Sequence, residues 1–263
     1  MARRIASYLK ADMYRLLTSP NLWLSILGMQ ILLCVIPYSG FQYEVSVFYI
    51  VNAAFYGLPS ILCYIFCAVP FACSFCEDFE FRYHYLMISR GGFREYVFSK
   101  IVTVLISSCL VMLGSTVLYA GMLSRFLPWI TTSAGGDLTN VDFIKFGYLL
   151  QEGKHFTFYF LCGLEMGLLN GILSLLAAFF SICLPNKLLT LSIPVMGAYF
   201  IYTFGLMIGN DNPMMNLYCI FGFNYKVFSN DVLSFLYSVG ISMVAYAIIG
   251  SAIFIKLKRR YYG

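Results

Sequence analysis

EDFEFRYHYLMISRGGFREYVFSK, Glu77 to Lys100, holds eight of the chain's 29 charged residues in 24 positions. The chain around it is 263 residues long, 60% hydrophobic and 11% charged, with a mean hydropathy of +0.80. A soluble domain carries about 25% charged residues, so this composition belongs to a membrane protein. Two long apolar runs flank the charged stretch, Leu58–Cys76 before it and Val102–Leu123 after it. A helix crossing a hydrocarbon core about 30 Å thick needs roughly 20 apolar residues. Four more runs approach that length: Leu22–Tyr38, Phe156–Leu184, Leu188–Ile208 and Leu233–Ile255. The first is short and the fourth long, which predicts tilt or local mismatch at both. The expected fold is an all-α integral membrane protein with six transmembrane helices, one membrane domain over residues 1–263.

Charge sets the expected orientation, because Lys and Arg collect on the cytoplasmic side of short loops. Six spans put both termini on one side. With the termini cytoplasmic, 13 of the 17 basic residues fall inside, and only Arg125, Lys145, Lys154 and Lys226 fall outside. The net charge of +5 then reflects topology, and no nucleic-acid partner is needed to explain it. Residues 77–100 become the largest cytoplasmic segment, between spans two and three. The other internal loop is short, around Pro185, Asn186 and Lys187.

Residues 1–20 are too charged, and lack a small-residue cleavage site, to read as a cleaved signal, so the first span is expected to stay as an anchor. Within them Ile5, Leu9, Met13 and Leu16 recur at spacings of three and four, with Arg3, Arg4, Lys10 and Arg15 off that face. This predicts an N-terminal in-plane amphipathic helix; a basic anchor that only sets topology is the plainer reading. Asp12 interrupts the apolar face. Thr18-Ser19-Pro20-Asn21 ends the helix and starts span one. External segments are expected over 39–57, 124–155 and 209–232. The second contains the turn-rich TTSAGGDLTN. The third is polar at its ends and apolar in the middle, which reads as a re-entrant or interfacial segment.

Eight of the nine cysteines lie inside the predicted spans, and Cys73 and Cys76 have zinc spacing without a matching second pair; all read as packing residues. Glu165 is the one acid well inside a span, with Asn170 five residues on. A lone charge there costs at least ~2.5 kcal/mol, so it must face a cavity or a partner. It is either a substrate or gating contact or a helix–helix hydrogen bond. Pro59, Pro70 and Pro194 are candidate kinks.

Between Glu77 and Lys100 the pattern reads as a short amphipathic helix, a glycine hinge at Gly91-Gly92 and a helix start. Such a helix either fits a groove on a partner or forms a solvated loop. The whole layout resembles the ABC-2 type permeases of ATP-driven transporters. These have an amphipathic N-terminal helix, six spans, and a cytoplasmic segment after span two that begins with Glu and ends in a basic residue followed by Ser-Lys. Here the matching residues are Glu77, Arg94, Ser99 and Lys100, while Phe-Arg-Tyr stands where Gly-Thr is common after the Glu. The resemblance implies a homodimer or heterodimer of permease copies and a separate P-loop ATP-binding subunit. That subunit would dock on a coupling segment made of Glu77, Asp78, Glu80, Arg82, Arg90 and Arg94. The chain has no G-x-x-x-x-G-K-[ST], so ATP and Mg would be held by the partner, with no cofactor on this chain. The resemblance further implies export of a hydrophobic or peptide-like substrate across a bacterial plasma (inner) membrane.

Two other classes compete. Glu77-Asp78-x-x-x-Arg82 is a near miss to the E-E-x-x-x-R of CAAX-type membrane proteases, but the only histidines, His84 and His155, are predicted on opposite sides of the bilayer. A non-transporting membrane anchor or sensor that recruits an ATPase is the other.

Overall fold

A computed structural model describes residues 2–35, 46–55, 58–131, 144–208, 213–222 and 226–262. The end of the first expected span (36–38), most of TTSAGGDLTN, parts of the 209–232 segment, and the side chains of Arg3, Arg4, Pro59, His84 and Arg90 lie outside the described residues. Among the described residues every regular element is helical. They are α1 (Ala2–Thr18), α2 (Pro20–Val35), α3 (Val47–Phe55), α4 (Cys63–Ala68), α5 (Ser74–Glu80), α6 (Tyr83–Gly91) and α7 (Phe93–Leu123). There follow α8 (Gly147–Gln151), α9 (His155–Cys183), α10 (Lys187–Ile208), α11 (Leu217–Phe221) and α12 (Asp231–Tyr262), with a 3₁₀ turn over Leu58–Leu62 leading into α4.

Four helices are long and apolar enough to cross a membrane unaided: α7, α9, α10 and α12. The count rises to six if each of two bent pairs is one span. The first pair is α1 with α2, at 52° to each other. The bend falls where Pro20 opens α2 and the Ser19 hydroxyl accepts from the Asn21 N–H, at 3.2 Å. The second pair is α3 with residues 60–68, at 77°. Two expectations change here. The run Leu58–Cys76 is not one straight helix: turns over 69–73, around Pro70, which has no N–H to give, separate α4 from α5. And Val47–Phe55, expected in an external segment, is a helix whose Val47, Ile50, Val51 and Ala54 are core residues.

α9 is the centre of the bundle. It packs most extensively on α7, then on α10 and α12. The α7–α9 contact is close because α9 carries Gly163, Gly167 and Gly171 at intervals of four. A Cβ at Gly163 would sit 3.1 Å from the Leu113 Cα, and one at Gly167 3.0 Å from the Cys109 Cα. Small residues at this spacing let two helix backbones approach where no hydrophobic effect drives them together. α2, α10 and α12 turn outward a broad surface of Trp23, Leu27, Met196, Phe200, Met243 and Ile248, the surface a lipid environment tolerates. α1 does not stand clear of this bundle. Met13 and Leu16 join the core against α7, with Asp12 buried beside them.

Candidate functional site

The stretch 77–100 is almost wholly helical. α5 ends at Glu80, Arg82 turns the chain, α6 runs to Gly91, and Gly92 separates it from α7. Gly92 takes φ +108, which only glycine adopts without strain. Arg82 sits at φ 54, a left-handed conformation that costs a residue with a Cβ roughly 1–2 kcal/mol. Such strain persists where the surroundings over-determine the backbone.

What holds this crank is a buried charge cluster joining α1, α5 and α7. The Lys100 ammonium, 1% exposed, lies 2.9 Å from Asp78 Oδ2 and 3.7 Å from Asp12 Oδ1. It pairs by charge and not through a well-angled hydrogen bond, and stands 4.9 Å over the Phe71 ring, a favourable cation–π position. The Ser99 hydroxyl donates to Asp12 Oδ2 at 2.5 Å, and the Tyr96 hydroxyl to Asp78 Oδ2 at 2.7 Å. Arg15 completes the set, with Nη1 3.3 Å from Asp78 Oδ1 and Nη2 3.0 Å from Glu77 Oε2. Two buried aspartates meet the buried Lys100 and the part-exposed Arg15, so the set balances only with Arg15 included. A buried cluster is tolerated on that condition.

Around this core the cluster opens outward. Lys187, at the start of α10, lies 3.9 Å from Glu77 Oε1 and 3.4 Å from Glu80 Oε2. The Arg260 guanidinium donates to the Ile182 carbonyl at 2.9 Å and stacks over the Phe79 ring at 4.2 Å. Tyr261 is in edge contact with both Tyr85 and Phe93, and the Tyr8 hydroxyl donates to the Met87 carbonyl at 2.6 Å. The first and last helices therefore meet the charged stretch at one end of the bundle.

Of the six residues expected to form a docking segment, the five whose side chains are described separate. Asp78 is buried and internally paired, and Glu77 is engaged by Arg15 and Lys187. Glu80 and Arg82 are exposed at the α5–α6 elbow beside exposed Phe81, Tyr83, Tyr85 and Leu86. Arg94 is exposed on the first turn of α7 and lines a slot between α7 and α12. Asp12, noted in the sequence only as interrupting the apolar face of α1, and Lys100, noted only as part of the family motif, are at its heart. A lone acid on an otherwise apolar helix face was the signal for Asp12.

Glu165 is also paired within the chain. Lys145 Nζ lies 3.1 Å from each of its carboxylate oxygens and donates to the Ile220 carbonyl at 2.7 Å; Ser238 Oγ donates to Oε1 at 2.9 Å. Lys145, expected in an external loop, is wholly buried, because Glu165 and Ile220 give its ammonium partners there. Asn170 does not join them: its Nδ2 donates to the Met166 carbonyl of its own helix. Among the described residues no group of three or more His, Cys, Asp or Glu is placed to hold a metal ion. His155 stacks on Trp129 at 4.7 Å, at the start of α9, whose other end carries Ile182 beside Arg260.

No protein-family model, curated protein or solved structure matches the chain.

Proposed function

We propose that the chain is the membrane-spanning permease subunit of an ATP-driven transporter of the ABC-2 type, with ATP hydrolysed on a separate P-loop subunit. The observation that carries the reading is the crank α5–α6–Gly92–α7. It ends in an exposed elbow of Glu80, Phe81, Arg82, Tyr83, Tyr85 and Leu86, and it is tied at its base to α1 through Asp12, Asp78 and Lys100. Apolar and aromatic side chains flanked by charges of both signs form the kind of surface that a partner groove takes up. A force applied to α6 reaches α7 directly through Gly92, α12 through Tyr261, and α1 through the charge cluster. Of the four residues on which the family resemblance rests, Glu77, Ser99 and Lys100 take part in that tie, and Arg94 lies beside it at the α7–α12 slot.

In this reading the elbow faces the cytoplasm of a bacterium and both termini lie on that side. A second permease copy completes the substrate path, and the substrate is hydrophobic or peptide-like, in keeping with the chain's 18% aromatic content. Mild-detergent capture of the tagged chain from its host, followed by mass spectrometry, tests it. A stoichiometric P-loop ATPase whose recovery falls with Arg82→Glu is the expected result. Capture of the intact bundle without any ATPase overturns the reading.

A further inference from the structure

Between α7 and α12, at the end that carries both termini, lies an apolar slot of about 380 Å³. Val97, Phe98 and Ile101 form one wall, and Tyr246, Gly250 and Phe254 the other; Ile5 of α1 also borders it. From Arg94 to Ile101 is seven residues of helix, so the slot runs for about 10 Å along the axis of α7. The two hydroxyls in its walls already spend their protons within the chain. The Tyr246 hydroxyl donates to the Leu168 carbonyl at 2.6 Å, and the Ser251 hydroxyl to the Ile248 carbonyl at 2.7 Å. Gly250 leaves the floor open: a Cβ there would meet only Ile101, no closer than 3.4 Å.

Arg94 is different. It stands among the lining residues on the first turn of α7, is exposed, and makes no ion pair or hydrogen bond among the described residues. Arg15, Lys100, Lys187 and Arg260 of the neighbouring cluster each have a carboxylate or a carbonyl partner, and Arg94 is the one charged residue among those lining the slot. An apolar slot with satisfied walls and one unpaired cation near the helix start matches an amphiphile with an acyl chain and an anionic head.

We propose that this slot is a binding site for an anionic phospholipid of the leaflet facing the end with both termini, with its phosphate on Arg94 and one acyl chain between α7 and α12. A guanidinium offers paired N–H donors in the geometry that phosphate accepts. The acyl chain covers Val97, Phe98 and Phe254. The occupant is a lipid of the surrounding bilayer, not a second copy of the chain, because an apolar slot of about 380 Å³ with one cation among its lining residues complements an acyl chain and an anionic head. The proposal stands independently of any transport function.

The test is native mass spectrometry of the full chain, purified in mild detergent and titrated with phosphatidylglycerol or phosphatidylcholine of equal chain length. Wild type should retain phosphatidylglycerol preferentially. Arg94→Gln should lower its apparent affinity about five- to tenfold and leave phosphatidylcholine unchanged, while Arg94→Lys keeps most of the preference. Gly250→Leu, which fills the slot without touching the charge, should weaken both lipids. Helical content and monodispersity of each variant are checked first, and Gly240→Ala, where a Cβ meets nothing within 4 Å, serves as the folded control. Equal retention of both lipids by wild type overturns the proposal. So does an unchanged preference in Arg94→Gln, or a slot that Gly250→Leu fills with no effect on either lipid. A dimer that dissociates in Gly250→Leu with lipid retention intact would assign the slot to a second copy instead.

Discussion

Lys100 shows why a buried charge is kept. Its ammonium is fully withdrawn from solvent, and its cost is offset by two carboxylates carried on separate helices. Removing one member of such a set leaves an uncompensated buried charge, which costs about 3–5 kcal/mol. Lys100→Met and Asp78→Asn should each lower the SDS-unfolding midpoint strongly, and the double variant should fall by clearly less than the sum, since both act on one network. Strict additivity would mean that the pair contributes no coupling. Arg82 predicts the opposite sign. Because its φ of 54 suits glycine, Arg82→Gly should stabilise the isolated chain by about 1 kcal/mol while weakening capture of an ATPase. A stability loss in Arg82→Gly would show that the side chain makes contacts worth more than the strain.

At the scale of elements, α9 and α7 depend on how near their backbones come. Gly167→Leu puts a branched side chain where even a Cβ would lie 3.0 Å from the Cys109 Cα, so the two helices must separate. A loss of about 1–3 kcal/mol is expected from such overpacking, against little change for Gly240→Ala on α12, read in the same unfolding assay. A matched response of the two variants would remove the close-approach argument. The stretch GLEMGLLNG, 163–171, drew attention in the sequence for its acid. Its glycine spacing was equally legible there, and it is the glycines that set the packing. The crank could also be read in outline, because Gly91-Gly92 interrupts a helical pattern. Its mounting could not, since Tyr8, Arg15 and Tyr261 reach it from distant parts of the chain.

For the whole molecule, the two buried charge sets lie toward opposite ends of the bundle, and basic side chains crowd the end with both termini. If that end is cytoplasmic, green fluorescent protein fused after Gly263 should fluoresce in a bacterial host, and alkaline phosphatase at the same position should stay inactive. The reverse pair of results would invert the orientation. Hydropathy and charge are sums over neighbours in sequence, so the sequence by itself determined that the chain carries several helices long and apolar enough to cross a membrane, and that residues 77–100 hold the largest share of its charge. It did not determine the paths of the helices. Pro20 and Pro70 signalled breaks, but the angle at which α1 meets α2 is set by packing on α7. Nor did it determine which charges belong together. Asp12 and Ser99 are 87 positions apart yet share a hydrogen bond, and Lys145 and Glu165 are joined inside the bundle. Charge pairing in a medium of low dielectric depends on distances through space, and only the packed tertiary structure brings those distances to hydrogen-bond range.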